Sequence, residues 1–361
     1  LSCRKHQPIP QVIEHILKMF SVKTKIIFGR AEDEISNLNL KENGLLCTRR
    51  HSDFKYNGLN LYDLKISPEP CVEDIYKYFD KIKDLNFEYV LAVGGGSVLD
   101  TAKILSVMTN DTKVEDLIGN NKVKNRAKTI VAIPTTHGSG SEVTKYAVLK
   151  FQNLKQTLVS ENIVPEYAII DENLAMNLPV ELTLHTSIDA FCHNIEAYFS
   201  KISEPLTDLN CENGMKFFFD GIDEASDNKI SGRRKMLVCS VLGGIAITNL
   251  RTNLIHALSH VIGAEKNVSH GLANALFLQS YLKFYKDDKK FKNLCKILNV
   301  DIIKQIDEIY EKYNIKRLSD FIAQSEIKHI AEKTYENKRL LSVMKKEISK
   351  ENIVKIIEEA M

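Results

Sequence analysis

The chain has 361 residues, with 49 lysines and arginines against 47 aspartates and glutamates and a formal net charge of +2. That near balance, with no long basic run, excludes a protein whose affinity comes from neutralising nucleic-acid phosphates, and the length points to two domains around a shared cleft. Hydrophobic residues at 44% and charged ones at 27% are globular values, which excludes disorder and collagen-like repeats.

Seven cysteines are scattered, odd in number and never at C-x-x-C spacing, so neither a disulfide framework nor a zinc ribbon is expected. A reducing cytoplasm is the simplest compartment. The longest apolar stretches fall short of the roughly 18 residues of a membrane span, and the amino end lacks the basic-then-apolar layout of a signal peptide.

In chain order, Lys25 to Phe28, Leu45 to Thr48, Tyr89 to Val93, Thr129 to Ile133 and Ala168 to Ile170 are short apolar runs that predict strands. Between them, Val72 to Leu85 places Ile75, Tyr78, Phe79 and Ile82 at helical spacing. This β-α-β rhythm predicts an open, parallel, Rossmann-like α/β sheet. After about Pro179 the rhythm changes. Ser187 to Phe199, Leu206 to Phe219, Arg233 to Leu250, Leu254 to Ile262, Gly271 to Phe284 and Ile302 to Tyr313 predict helices, so residues 1–178 form an α/β domain and 179–361 an all-α domain, with the active site between them. The lysine- and glutamate-rich carboxyl end predicts a solvated helical face.

Tyr89 to Val93 runs directly into Gly94-Gly95-Gly96-Ser97-Val98-Leu99-Asp100. Glycines let a backbone approach a ligand closely, and the following helix turns free N–H groups and its positive dipole end toward an anion such as a pyrophosphate. The plainer reading is a glycine-rich turn, since the spacing is not G-x-G-x-x-G. A second loop, Pro134-Thr135-Thr136-His137-Gly138-Ser139-Gly140-Ser141, follows another strand and supplies hydroxyls and glycines for the same ligand.

Asp189 and His193 stand at i and i+4, as do His256 and His260, with His270 close behind; His185 is a further histidine of this half. Each pair alone reads as a surface pair or cap. Together, one carboxylate and two or three imidazoles on separate helices suit a divalent transition metal with an open position, able to act as a Lewis acid on an alcohol or carbonyl oxygen.

These pieces resemble the iron-containing (group III) alcohol dehydrogenase family over nearly the whole chain: GGGSVLDTAK at 94–103, PTTHGSGSEVT at 134–144, PEYAIID at 165–171, Asp189-Ala190 with His193 and Glu196-Ala197-Tyr198, PLTD at 205–208, and His256 to Gly271. The resemblance implies a dehydroquinate synthase-like fold and metal ligation by Asp189, His193, His256 and His270, the last two fourteen residues apart as in the family. It implies that His260 stands beside nicotinamide and substrate and serves proton transfer. It also implies dinucleotide contacts from Gly95, Gly96, Ser97, Asp100, Thr135, Thr136, Ser139 and Lys155, and a homo-oligomer, expected as a dimer.

Two departures carry expectations. Ser187 stands where the family commonly has Gly and is expected to reshape the helix start. Where NAD-dependent members hold the adenosine ribose with an acidic residue, this chain reads Thr48-Arg49-Arg50. Loss of that carboxylate and gain of Arg49 favour a 2′-phosphate, hence NADP(H) over NAD(H), although Arg49 also reads as a solvated strand-end residue.

The expected activity is metal-dependent, NAD(P)-linked interconversion of an alcohol and an aldehyde or ketone, with Fe(II) or Zn(II), on a small polar substrate such as a diol, a sugar-derived alcohol or a phosphonate. No nucleic-acid or membrane partner is expected. Arg251 is a possible cation for an anionic substrate, its plainer role being a helix-surface arginine. The alternatives are a dehydroquinate synthase-like carbon–oxygen lyase using NAD transiently, a metal-independent reductase of the maleylacetate type, and a non-catalytic scaffold.

Overall fold

The computed structural model describes residues 20–40, 43–49, 59–152 and 154–361. Arg50 lies outside the described residues. The first part runs β1 (Lys25–Phe28), α1 (Ala31–Asn37), β2 (Asn43–Thr48), β3 (Asn60–Lys65), α2 (Val72–Ile82), β4 (Tyr89–Gly94), α3 (Gly96–Leu105), α4 (Val114–Leu117), β5 (Gly119–Asn120), β6 (Thr129–Pro134), β7 (Tyr146–Phe151), β8 (Leu154–Val159) and β9 (Tyr167–Ile170). Helices follow: α5 (Val180–Tyr198), α6 (Pro205–Ser226), α7 (Ile230–Leu250), α8 (Leu254–Lys266), α9 (His270–Tyr285), α10 (Lys289–Leu298), α11 (Ile302–Lys312), α12 (Ile327–Glu336), α13 (Lys338–Leu341) and α14 (Lys350–Ala360).

Six strands form one parallel sheet in the order β1-β9-β6-β4-β2-β3. Every residue of β4 is buried, as a central parallel strand covered on both faces requires. Its side chains alternate between two cores: Val90 and Ala92 face the one shared with α2 and α3, and Tyr89, Leu91 and Val93 face the one shared with α1. The carboxyl ends of β2, β4 and β6 lie side by side, where open α/β sheets hold ligands.

The five expected strands are all present. Several elements of the first part were not legible in the periodicity, three strands among them. β3 is an edge strand with the mixed sequence NLYDLK, and β7 (YAVLKF) and β8 (LKQTLV) form an antiparallel hairpin, paired from Tyr146↔Val159 to Phe151↔Leu154.

α5 starts at Val180, seven residues ahead of Ser187. The Thr183 N–H donates to the Pro179 carbonyl at 2.8 Å, and Val180 and Leu182 point outward, so the first turns show no apolar stripe. The expectation that Ser187 reshapes the helix start is therefore corrected: Ser187 lies inside an unbroken helix, its Oγ donating to the Thr183 carbonyl at 2.7 Å. From Ser187 to Tyr198 every position is buried because α6, α7 and α9 surround the helix. The solvated helical face expected at the carboxyl end is present on α14, which exposes its charged side chains and buries Ile353, Ile356 and Ile357 on its other side. Among the described residues no single helix is long and apolar enough to cross a membrane, and α7 and α8 meet at a 103° bend.

The sheet half meets the helical half where the loop after β6 crosses α7. Gly140, at φ +60°, lies so close that a Cβ on it would stand 2.6 Å from Gly244 Cα, and a Cβ on Gly244 would stand 2.6 Å from the Gly140 carbonyl oxygen. Two backbones cannot separate there without moving the cleft wall. Gly244→Ala is expected to lower unfolding stability by about 1–3 kcal/mol, the usual cost of overpacking, read by denaturant titration; an unchanged midpoint would show that the contact is loose.

Candidate active site

A cleft of about 870 Å³ opens between the carboxyl edge of the sheet and the helical half. All the residues expected at the site line it: Arg49, Gly95, Gly96, Ser97, Asp100, Thr135, Thr136, Ser139 and Lys155 from the first half, and Asp189, His193, His256, His260 and His270 from the second. His185 lines it as well.

Gly95 and Gly96 form the turn from β4 into α3, whose first N–H groups have no intrahelical acceptor. The second loop rides on the first: the Thr135 N–H donates to the Gly94 carbonyl at 3.1 Å, and a Cβ on Gly95 would touch Thr136. Asp100 ties them further, accepting from Ser141 Oγ at 2.5 Å and from the Val148 N–H at 2.9 Å. Its carboxylate thus shapes the two loops from within. Ser97 Oγ accepts from the Glu69 N–H at 3.1 Å, and Lys155 pairs with Glu69 at 3.1 Å. Arg49 stands exposed past the end of β2. Asp63, on the adjacent strand, pairs with Lys65 at 2.6 Å and does not line the cleft.

In the helical half, Asp189 Oδ1 lies 3.7 Å from His193 Nε2, 3.5 Å from His256 Nε2 and 3.8 Å from His270 Nε2. The ligand atoms of Asp189, His256 and His270 fall within 4.8 Å of one another. His193 and His256 turn their Nε2 atoms on each other at 3.0 Å.

The outer partners decide what those atoms present. His193 Nδ1 meets the Gly138 carbonyl at 3.2 Å, and since a carbonyl only accepts, Nδ1 carries the proton and Nε2 a lone pair. Burial holds His193 down at about 4 and His270 well below the ordinary imidazole range, so both are neutral. At His256 burial also acts downward, but Glu196, with Oε2 2.5 Å from Nδ1, and Asp189 outweigh it and push the group up to about 9. Burial favours a protonated Asp189, yet the surrounding imidazoles keep it ionised. A carboxylate and three imidazole nitrogens thus converge on a point that wants positive charge, which His256 supplies as a second proton unless a cation does. The donor set, oxygen and nitrogen without thiolate, fits Fe(II) or Zn(II).

His260, one turn beyond His256, is half-buried, its ring centroid 6.5 Å from that of His256 and 6.0 Å from that of His270. Burial, then the charge of His256 and Lys155, lowers it to about 3.

Three residues escaped the sequence reading of roles. Glu196 holds His256 Nδ1 and also accepts from the Ile255 N–H at 2.5 Å and the His256 N–H at 3.4 Å, capping α8 with a negative charge. Its signal was present, because Asp189, His193 and Glu196 at i, i+4 and i+7 share one helix face. Asn274, one turn after His270, donates from Nδ2 to Asp189 Oδ1 at 2.7 Å and leaves its own Oδ1 buried without a partner. Behind the ligand face, the fully buried Arg233 donates to Thr183 Oγ1, to the Leu178 carbonyl at 2.9 Å and to Asn228 Oδ1 at 3.0 Å, and its NH1 stands 3.2 Å from His137 Nε2. It anchors the loop whose Gly138 carbonyl orients His193.

Comparison with known proteins agrees with this arrangement. Residues 28–172 match the iron-containing alcohol dehydrogenase family, and residues 183–361 match the C-terminal region of the Fe-containing alcohol dehydrogenase family. An alcohol dehydrogenase of Thermococcus barophilus is 27% identical over 353 residues, 88% of this chain and 93% of that one. An NADPH-dependent butanol dehydrogenase of Clostridium saccharobutylicum is 30% identical over 226 residues, 61% of this chain and 58% of that one. The solved structure of an iron-containing alcohol dehydrogenase from Thermococcus thioreducens superposes with a TM-score of 0.84 at 27% identity, covering 95% of this chain and 99% of that one. With a parallel nucleotide-type sheet, a helical half, and both family regions matched in order, the chain belongs to the iron-containing alcohol dehydrogenase family of oxidoreductases.

Proposed function

We propose that the protein interconverts a small alcohol and its aldehyde, with NADP(H) as the hydride carrier and one divalent metal held by Asp189, His193, His256 and His270. Residues 1–178 then form the nucleotide domain and 179–361 the metal domain. The observation that carries this reading is the single cleft in which two glycine-containing loops face a carboxylate ringed by three imidazoles. When bound, the metal supplies Lewis-acid polarisation of the C–O bond and the nicotinamide gives or takes the hydride.

The chain's own residues supply the rest. Gly95, Gly96 and the first turn of α3 offer backbone N–H groups to a pyrophosphate, and the hydroxyls of Ser97, Thr135, Thr136 and Ser139 stand around the same loops. Reduction of an aldehyde consumes one hydride and one proton. His260, kept neutral by burial, has one N–H and one lone pair, so it relays that proton to the substrate oxygen without holding charge itself.

The nucleotide preference is read from Arg49. Protein purified without oxygen is expected to contain metal and to oxidise NADPH faster than NADH across a panel of small aldehydes. Arg49→Ala should lower the NADPH-to-NADH ratio of kcat/KM by about tenfold or more, the loss of one charged hydrogen bond to a phosphate. Failure to oxidise either cofactor with any aldehyde would remove the dehydrogenase assignment, and an unchanged ratio would remove only the role of Arg49.

A further inference from the structure

Of the lysines and arginines that line the cleft, Arg49 stands exposed at the end of β2, and two lysines are matched by a carboxylate of the fold. Lys150 and Lys155 share Glu69 at 2.6 and 3.1 Å. Lys103, buried behind the cleft lining, is enclosed by Ser141 Oγ, Thr144 Oγ1 and the Tyr146 carbonyl, with Asp100 at 3.8 Å. Two arginines differ. Arg251 and Arg339 line the cleft with His260 and Tyr146, both half-buried, and among the described residues neither guanidinium has an ion pair or a hydrogen bond.

Both belong to the metal-bearing side. Arg251 ends α7, five residues ahead of His256, at φ +69° and ψ 164°, a conformation that a side-chain-bearing residue rarely adopts. The Arg251 N–H donates to the Ile247 carbonyl at 2.7 Å, and Tyr146 Oη donates to the same carbonyl at 3.0 Å, which places the phenol beside this bend. Arg339 lies on α13, which packs against α8, the helix of His256 and His260. The charge of Arg251 reaches Arg339: burial lowers Arg339, Tyr146 opposes this, and Arg251 adds to the lowering.

Two like charges, partly desolvated and without a counter-ion, raise the free energy of the empty cleft, and an anion placed between them removes that penalty. Their attachment to the bend between α7 and α8 and to α13, rather than to the loops after β4 and β6, sets them toward the substrate end. We infer that Arg251 and Arg339 form an anion subsite for the tail of the substrate, so that the preferred substrate is an aldehyde, or its alcohol, bearing a terminal carboxylate, sulfonate or phosphonate. This rests on the alcohol–aldehyde reading proposed for the same cleft.

The test compares aldehydes of one chain length that end in carboxylate, sulfonate or methyl, beginning with 4-oxobutanoate against butanal. Wild-type protein should prefer the anionic aldehyde, and the double variant Arg251→Met/Arg339→Met should lower the ratio of kcat/KM for 4-oxobutanoate over butanal by about 100-fold, about tenfold for each charged contact. Lysine at both positions should retain most of that ratio, since charge is kept. The best anionic tail among the three identifies the natural head group. A wild type indifferent to the tail, or a double variant with an unchanged ratio, overturns the subsite and leaves the dehydrogenase reading intact. If no aldehyde is turned over, that reading fails, and equilibrium binding of succinate decides the subsite: weaker binding to the double variant by about tenfold or more supports it, and equal binding overturns it.

Discussion

Protein in which His256 or His270 is replaced by alanine is expected to lose bound metal and turnover together. Turnover should fall by at least about a thousandfold, with metal content dropping from about one equivalent to below about a tenth, because a site of four ligands cannot hold a labile divalent ion once an imidazole is gone. The geometry makes the effect steep. His256 Nε2 lies between His193 Nε2 at 3.0 Å and Asp189 Oδ1 at 3.5 Å, so it joins the two halves of the ligand set. Elemental analysis alongside steady-state rates checks this; a variant that keeps both its metal and full turnover would falsify the assignment of that residue.

Glu196→Ala carries the second large effect, although Glu196 touches no metal ligand atom. Its carboxylate is fully buried and serves three donors at once, His256 Nδ1 and the N–H groups of Ile255 and His256. Removing it uncaps α8 and leaves buried donors unsatisfied, with an expected loss of about 3 kcal/mol of stability. It also frees the His256 ring to turn, so metal affinity should fall by about 10- to 100-fold. Glu196→Gln keeps an acceptor and should recover part of both losses. Chelator competition for the metal and denaturant titration for the fold separate the two effects. If metal affinity is unchanged while stability falls, Glu196 is a cap and not a positioning residue.

Much of the site was legible because its chemistry sits in short segments. A buried strand running into three glycines, and histidines one helical turn apart, are local patterns. The ligand set itself came through the family resemblance, since spacing alone admitted two or three imidazoles and a surface-pair reading. Glu196 shows the limit on the same helix: its position was visible, but its partner at His256 is sixty residues away and its task depends on how α8 starts. Asn274 and Arg233 were invisible for the same reason, as their partners come from other helices and loops.

The elements divide in a similar way. Strands buried on both faces, such as β4 and β6, announce themselves as continuous apolar runs, whereas the edge strand β3 and the β7–β8 hairpin carry polar and charged residues that only pairing explains. The start of α5 was not legible because its first turns are exposed and lack an apolar stripe, whereas the mixed charge of α14 did mark its solvated face, opposite three packed isoleucines.

Composition and local pattern by themselves determined a near-neutral, two-part chain with a parallel sheet first and helices after, since backbone periodicity and glycine or histidine chemistry act over a few residues. Only the tertiary structure decided which lone pairs converge, which carboxylate orients them, and which cations remain without a partner. Those properties depend on distances between segments far apart in the chain. Sequence left Arg251 open between a helix-surface arginine and a cation for an anionic substrate; the fold sets it in the cleft with Arg339, eighty-eight positions on, and among the described residues matches neither with a carboxylate.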